Sequence, residues 1–278
     1  MARLAESSVV LALRDTQWEM ATVLGGTPGL FVSLSGNNDK KLGDIKFANG
    51  EKFYLFEAKS TENQIKDEWD RSEKPRKHAY RKVREIIEGL NHPQSPTTSL
   101  FNLSLAAHHF LYYAYSDYEH KIQIEPYILG LQRKSGFIEE VDGNEYGIPN
   151  RTDQQKKNLV DGLNLVNGVK IYSTLPSENE VKSFTASQLY RESININTGS
   201  VPELPIGLAL EQFQLYIDFL CDGKDEDIEA LIKTKSGALI AFSGKTNNLN
   251  KLVSAFEEAE AKADYSNNSR LRGKKKTI

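Results

Sequence analysis

The stretch Gly43-Asp44-Ile45-Lys46-Phe47-Ala48-Asn49-Gly50-Glu51-Lys52-Phe53-Tyr54-Leu55-Phe56-Glu57-Ala58-Lys59 decides the reading of this chain. Two apolar-rich runs flank Asn49-Gly50, a dipeptide that favours a tight two-residue turn, so the segment reads as a β-hairpin. With Asn49 and Gly50 at the turn, Ala48 faces Glu51 and Phe47 faces Lys52. Counting on, Asp44 falls opposite Leu55, with Glu57 on the diagonal. Side chains alternate along a strand, so Asp44, Glu57 and Lys59 share one face. Diagonal neighbours in an antiparallel pair sit ~7–8 Å apart, near enough for two carboxylates to share one cation. Two acids and a lysine at the end of an apolar strand have the composition of a metal site with a positioned ammonium. The plainer reading of the same residues is an ionic patch on an exposed hairpin.

The spacing Asp-x12-Glu-x-Lys across a hairpin resembles the catalytic core of the PD-(D/E)xK phosphodiesterase superfamily, the restriction-endonuclease-like nucleases. Asp44 matches the motif aspartate, Glu57 the variable acid, Ala58 the spacer and Lys59 the lysine; Gly43 stands where many members carry proline. The resemblance covers roughly the first half of the chain. It implies an α/β fold with a restriction-endonuclease-like α-β-β-β-α-β core, a mixed sheet flanked by helices, plus a C-terminal α+β extension. It also implies a metal-dependent nuclease that hydrolyses phosphodiester bonds in DNA, as the effector of a bacterial anti-phage defence or restriction system. The alternative is a non-catalytic subunit that keeps the nuclease fold to bind nucleic acid or a partner.

On this resemblance the cofactor is Mg²⁺, with Mn²⁺ as a substitute. Asp44 and Glu57 are its ligands, the Ala58 carbonyl is a third, and Lys59 orients or helps deprotonate the attacking water. Mg²⁺ suits such a set because it takes hard oxygen ligands and keeps several waters. The helix before the hairpin supplies a further acid in many members, and Glu19 is the first candidate, against the bland reading of a solvated helix acid. Gln64, on the element after Lys59, is a candidate for holding the site or a substrate phosphate, though an ordinary surface glutamine is the simpler reading. Partners follow the same logic: DNA, an ATPase or recognition subunit from another chain, and a homodimer as a further option. No P-loop is complete here, since Ser243-Gly244-Lys245-Thr246 lacks the earlier glycine, position 239 being Leu.

The remaining pattern fits that core. Val10, Leu13, Met20 and Leu24 recur at helical spacing from Ala2 to about Leu24, and Gly25-Gly26-Thr27-Pro28-Gly29 ends the helix. Leu30 to Ser35 reads as a first strand. Phe53-Tyr54-Leu55-Phe56 is apolar on both faces, as in a central strand covered on each side. Thr61 to about Gly89 reads as a long charged helical stretch interrupted at Pro75. His108 to Tyr115 and Ile122 to Leu131 are strand candidates. Further on, Asp153 to Val166 reads as a helix, Val169 to Tyr172 as a strand, Leu208 to Leu220 as a buried helix and Asn248 to Ala263 as a helix. Asp227 to Phe242 is either helix then strand, or a hairpin turning at Lys235-Ser236-Gly237. The expected division is residues 1–172 as the nuclease domain, 173–263 as an α+β region and 264–278 as a basic disordered tail.

Charge is local rather than global. The 278-residue chain has a formal net charge of -3, which excludes a generically cationic nucleic-acid binder. Lys74, Arg76, Lys77, Arg81, Lys82 and Arg84 nevertheless cluster after the motif. Of these, Arg76, Lys77 and Arg81 are the candidate contacts to a DNA backbone. Arg270, Arg272, Lys274, Lys275 and Lys276 form a second cluster in the tail. The single Cys221 rules out a zinc-finger framework and a disulfide scaffold. No membrane-length apolar run and no leader pattern is present, so a cytoplasmic location and no membrane partner are expected. The adjacent His108 and His109 must face opposite ways on a strand and cannot chelate one ion together.

Overall fold

Helix α1 (Glu6–Val23) forms where apolar residues return every three to four positions; Val9, Leu13, Met20 and Ala21 are buried on its inner side. The buried Gln17 keeps its place in that stripe because its amide donates to the Gly29 carbonyl at 2.9 Å. The helix stops at Gly25, whose φ of 68° is a left-handed conformation that glycine adopts without strain. In this computed structural model the described residues are 5–25, 29–33, 45–49, 52–69, 78–90, 97–116, 119–133, 152–173, 182–191, 194–198, 203–233, 239–258 and 261–262.

After α1 the chain lays down β1 (Phe31–Ser33), β2 (Ile45–Asn49) and β3 (Lys52–Thr61) as an antiparallel meander. The hairpin register differs by one rung from the sequence expectation. Asn49 pairs with Lys52, Ala48 with Phe53, Phe47 with Tyr54, Lys46 with Leu55 and Ile45 with Phe56. Asn49 therefore stays in the ladder. A one-rung slip moves each partner by two residues and preserves which side chains share a face. Leu55 thus lies opposite Lys46, and Asp44 lies outside the described residues.

The crossover from β3 carries described helical pieces along the stretch expected to be helical from Thr61 to Gly89 with an interruption at Pro75. Thr61 ends β3, a 3-10 turn spans Glu62–Gln64, α2 covers Ile65–Trp69 and α3 covers His78–Gly89. Pro75 lies outside the described residues. Helix α4 (Thr97–Ala107) follows, with Phe101, Ser104, Leu105, Ala106 and Ala107 buried. It was not anticipated from sequence, because its apolar residues leave little polar contrast around the helix.

This crossover returns the chain to β4 (His108–Ser116), parallel to β3, and β4 turns back as β5 (Glu119–Pro126). The strand expected over Ile122 to Leu131 begins earlier and ends at Pro126, which lacks the amide needed to extend a ladder; a 3-10 segment, Tyr127–Arg133, takes over. Helix α5 (Asp153–Asn167) is capped by Thr152, whose hydroxyl accepts from the Gln155 amide while the Gln155 side chain accepts from the Thr152 amide. Strands β6 (Lys170–Ser173), β8 (Ile194–Asn197) and β9 (Leu204–Pro205) form a small sheet. Between them, β7 (Phe184–Thr185) joins the edge of the main sheet, followed by α6 (Gln188–Arg191). The main sheet is thus mixed and six-stranded, in the order β1-β2-β3-β4-β5-β7, with helices around it: an α/β fold.

The later residues are built into this core. Gly207, at φ 86°, lets the chain pass so close to Tyr54 that a Cβ there would meet its hydroxyl, and its amide donates to the Ala106 carbonyl. Leu208 and Phe53 exchange backbone hydrogen bonds at 2.8 and 3.2 Å. Helix α7 (Leu210–Leu220) then stacks Phe213 on Phe53 with ring centroids 5.7 Å apart. Among the described residues one apolar cluster runs from Val9 through Leu55 and Phe110 to Tyr216 and Leu252. The pair left open in sequence resolves as a hairpin of β10 (Asp227–Lys233) and β11 (Leu239–Lys245), followed by a helix over 249–258.

Candidate functional site

Strand β3 is buried from Phe53 to Ser60, and its two faces differ in kind. Tyr54, Phe56 and Ala58 point one way; Leu55, Glu57 and Lys59 point the other. Register carries the second face across the sheet: Glu57 lies beside Phe110 and Phe110 beside Glu125, while Lys59 lies beside Tyr112 and Tyr112 beside Gln123. Three charged side chains therefore stand on one patch of the central strands, and Glu57, Lys59 and Glu125 are only 3%, 4% and 1% exposed.

Helix α2 adds a fourth. Its Glu68 is likewise buried and projects onto the same patch. Lys59 Nζ donates to Glu57 Oε1 at 2.6 Å and sits 2.9 Å from Glu68 Oε2, so one ammonium is gripped by two carboxylates. Burial on its own would lower the lysine's pKa, but the adjoining charges of Glu57 and Glu68 outweigh it and the result is raised, keeping the ammonium charged at neutral pH. The second Glu68 oxygen accepts from the Tyr127 hydroxyl at 3.2 Å. Burial, reinforced by Glu68 and Glu57, pushes the Tyr127 phenol well up, so it stays a neutral donor. Beside them the Tyr112 hydroxyl reaches Glu125 Oε2 at 3.4 Å.

Of the residues expected from sequence, the structure brings Glu57 and Lys59 together, with Ala58 between them. It does not bring Glu19 to them. Arg14 of α1 lies over the Phe31 ring, 5.2 Å from its centroid, and pairing through Phe47 puts Phe31 on the Tyr54 face, opposite to Glu57. Glu19 is exposed, in a cleft of about 400 Å³ shared with Thr16, Lys121, Thr185 and Ser187. Gln64 caps the end of β3, its side-chain oxygen accepting from the Ser60 amide at 3.0 Å.

The basic stretch after the motif is largely engaged. Lys82 pairs with Asp222 and Glu85 and lies over the Phe219 ring, and Arg84 pairs with Glu88. Arg81 is exposed; Arg76 and Lys77, like the basic tail, lie outside the described residues. His108 and His109 do face opposite ways: His108 stacks on Tyr127, His109 lies against Phe56 and Phe184.

Sequence reading missed Glu68, Glu125 and Tyr127. The alternation Ile122-Gln123-Ile124-Glu125 carried the signal for Glu125, placing it on the polar side of β5. Glu68 carried none, being one acid in a charged stretch whose helix is five residues long.

In donor chemistry Glu57 suits a hard divalent cation, and two carboxylates face a single ammonium. Among the described residues no group of three metal-capable side chains gathers, so a complete ligand set would have to draw on Asp44, which directly precedes Ile45, the residue beside Phe56. Among the described residues no helix is long and apolar enough to cross a membrane. No protein-family model, curated protein or solved structure matches the chain.

Proposed function

We propose that this chain is a Mg²⁺-dependent nuclease of the restriction-endonuclease-like type, hydrolysing phosphodiester bonds in DNA at the Glu57–Lys59 face of β3. The observation that carries the reading is the Lys59 ammonium, held between two buried carboxylates at the end of a central strand. Buried charge clusters are costly, and they concentrate where chemistry uses them.

Asp44, Glu57 and the Ala58 carbonyl would hold Mg²⁺, with Mn²⁺ able to replace it. When bound, the ion neutralises phosphate charge and makes water a better nucleophile. Lys59, fixed as an ammonium, orients the attacking water and offsets charge that builds on the phosphate oxygens. Exposed Arg81, with Arg76 and Lys77 before it, would contact the DNA backbone, giving affinity without sequence information.

Burial of the whole triad favours a second reading: an ion network that stabilises the fold of a non-catalytic DNA- or partner-binding subunit. One assay separates the two. Labelled duplex, single-stranded and branched DNA are incubated with Mg²⁺ or Mn²⁺ and wild type, Lys59→Met or Glu57→Gln, each checked for folding by circular dichroism. Metal-dependent cleavage by wild type, absent from both variants, is expected. Cleavage by both folded variants at the wild-type rate would overturn the nuclease site. Tight DNA binding by wild type with no cleavage in either metal would favour the binding subunit.

A further inference from the structure

A chain of contacts continues from Lys59 beyond the proposed site. Glu68 holds Lys59 with one oxygen and takes the Tyr127 hydroxyl with the other. The Tyr127 ring is itself held between two neighbours. It stacks on His108 with centroids 4.0 Å apart and planes 5° from parallel, and lies 4.6 Å from Phe110. His108 Nδ1 is 3.0 Å from the Tyr216 hydroxyl of α7, which donates to Ser104 Oγ of α4 at 3.2 Å. Glu68, Tyr127, His108, Tyr216 and Ser104 are all at most 4% exposed.

We propose that Glu68 and Tyr127 are positioning residues for the Lys59 ammonium, and that helix α7 supports them through Tyr216. This rests on the reading of Lys59 as the cation at the scissile phosphate. A lysine has four flexible torsions, and Glu57 alone is a poor anchor if its carboxylate also serves a divalent cation. Glu68 supplies an anchor that this duty leaves untouched. Tyr127 fixes which Glu68 oxygen faces Lys59, and the ring stack fixes Tyr127. The region after residue 173 thereby contributes to the geometry of the site.

The test uses the full-length protein, with cleavage kinetics and ¹⁵N NMR of the lysine Nζ groups. Loss of such an outer partner typically lowers activity about 10- to 100-fold, so Glu68→Gln is expected to reduce kcat by that factor with KM for DNA unchanged. Tyr127→Phe removes one hydrogen bond from a neutral phenol to the Glu68 carboxylate and is expected to lower kcat about threefold to tenfold. In both variants the Lys59 Nζ protons should exchange with solvent faster than in wild type. Should Glu68→Gln fail to fold, Tyr127→Phe, which removes a single oxygen, decides. Wild-type kcat and wild-type Nζ exchange in folded variants would overturn the positioning roles while leaving the nuclease reading in place. Faster Nζ exchange in the variants of a protein that cuts no DNA would uphold the positioning and overturn the nuclease reading.

Discussion

The two faces of β3 are equally buried and chemically opposite. On one, Tyr54 and Phe56 stack with centroids 6.0 Å apart and share His109, which Phe184 covers edge-on. On the other, Leu55 is followed by Glu57 and Lys59, and the neighbouring strands and α2 bring Tyr112, Glu125, Tyr127 and Glu68. The adjacent His108 and His109 divide in the same way, one in a hydrogen-bonded network, the other among rings. Depth therefore does not distinguish a core from a site here; the pairing of buried polar groups does. An apolar face gains stability simply by excluding water, whereas a charged face holds only while each group keeps its partner.

The sharpest way to break the contrast is to remove the ammonium. Lys59→Met leaves Glu57 and Glu68 buried without their cation, and loss of one member of a buried ion pair typically costs about 3–5 kcal/mol. Urea unfolding should show that loss. Phe56→Leu on the opposite face should cost only about 1–2 kcal/mol and leave cleavage per folded molecule unchanged. Equal losses from the two substitutions, with equal loss of cleavage, would erase the distinction between the faces.

Histidine 109 sharpens the contrast from the apolar side. Burial, only partly offset by the backbone at Ala107 and Leu105, lowers its pKa from the ordinary value of 6.5 to about 3. The imidazole is thus neutral when folded, while the unfolded chain takes up a proton below pH 6.5. Its contribution is present above that pH and is lost as pH falls from about 6.5 towards about 3. The slope approaches about 1.4 kcal/mol per pH unit. Stability measured from pH 7 to pH 4 should fall less steeply in His109→Phe than in wild type; parallel curves would contradict the assignment.

Glu19 is expected to have the smallest effect. It was a natural candidate by sequence order, being in the last turns of the helix before the hairpin. The structure places that helix over the Tyr54 face and leaves Glu19 exposed. Glu19→Gln should keep cleavage within about twofold of wild type, as surface substitutions usually do. A loss as large as that of Glu57→Gln would return Glu19 to the site.

Sequence alone conveyed the hairpin, the shared face of Glu57 and Lys59, the order of the first elements and the opposed histidines, because strand alternation and turn residues are local signals. It misplaced the register by one rung, since Asn49-Gly50 favours a turn locally while the pairing of Phe47 with Tyr54 is decided across strands. It could not reach Glu68, Tyr127 or Tyr216, which lie 9, 68 and 157 residues beyond Lys59 and meet it only through the packing of α2, the 3-10 segment and α7.

If the charged face of β3 binds a divalent cation for hydrolysis, as proposed, Mn²⁺ should stabilise the folded protein. A cation that binds only the folded state stabilises it by about 2.7 kcal/mol at 100 times its Kd. Titrating Mn²⁺ into wild type should raise its melting temperature, and Asp44→Asn and Glu57→Gln should each lose that response while remaining folded. The same Mn²⁺ response in both variants as in wild type would contradict the proposal.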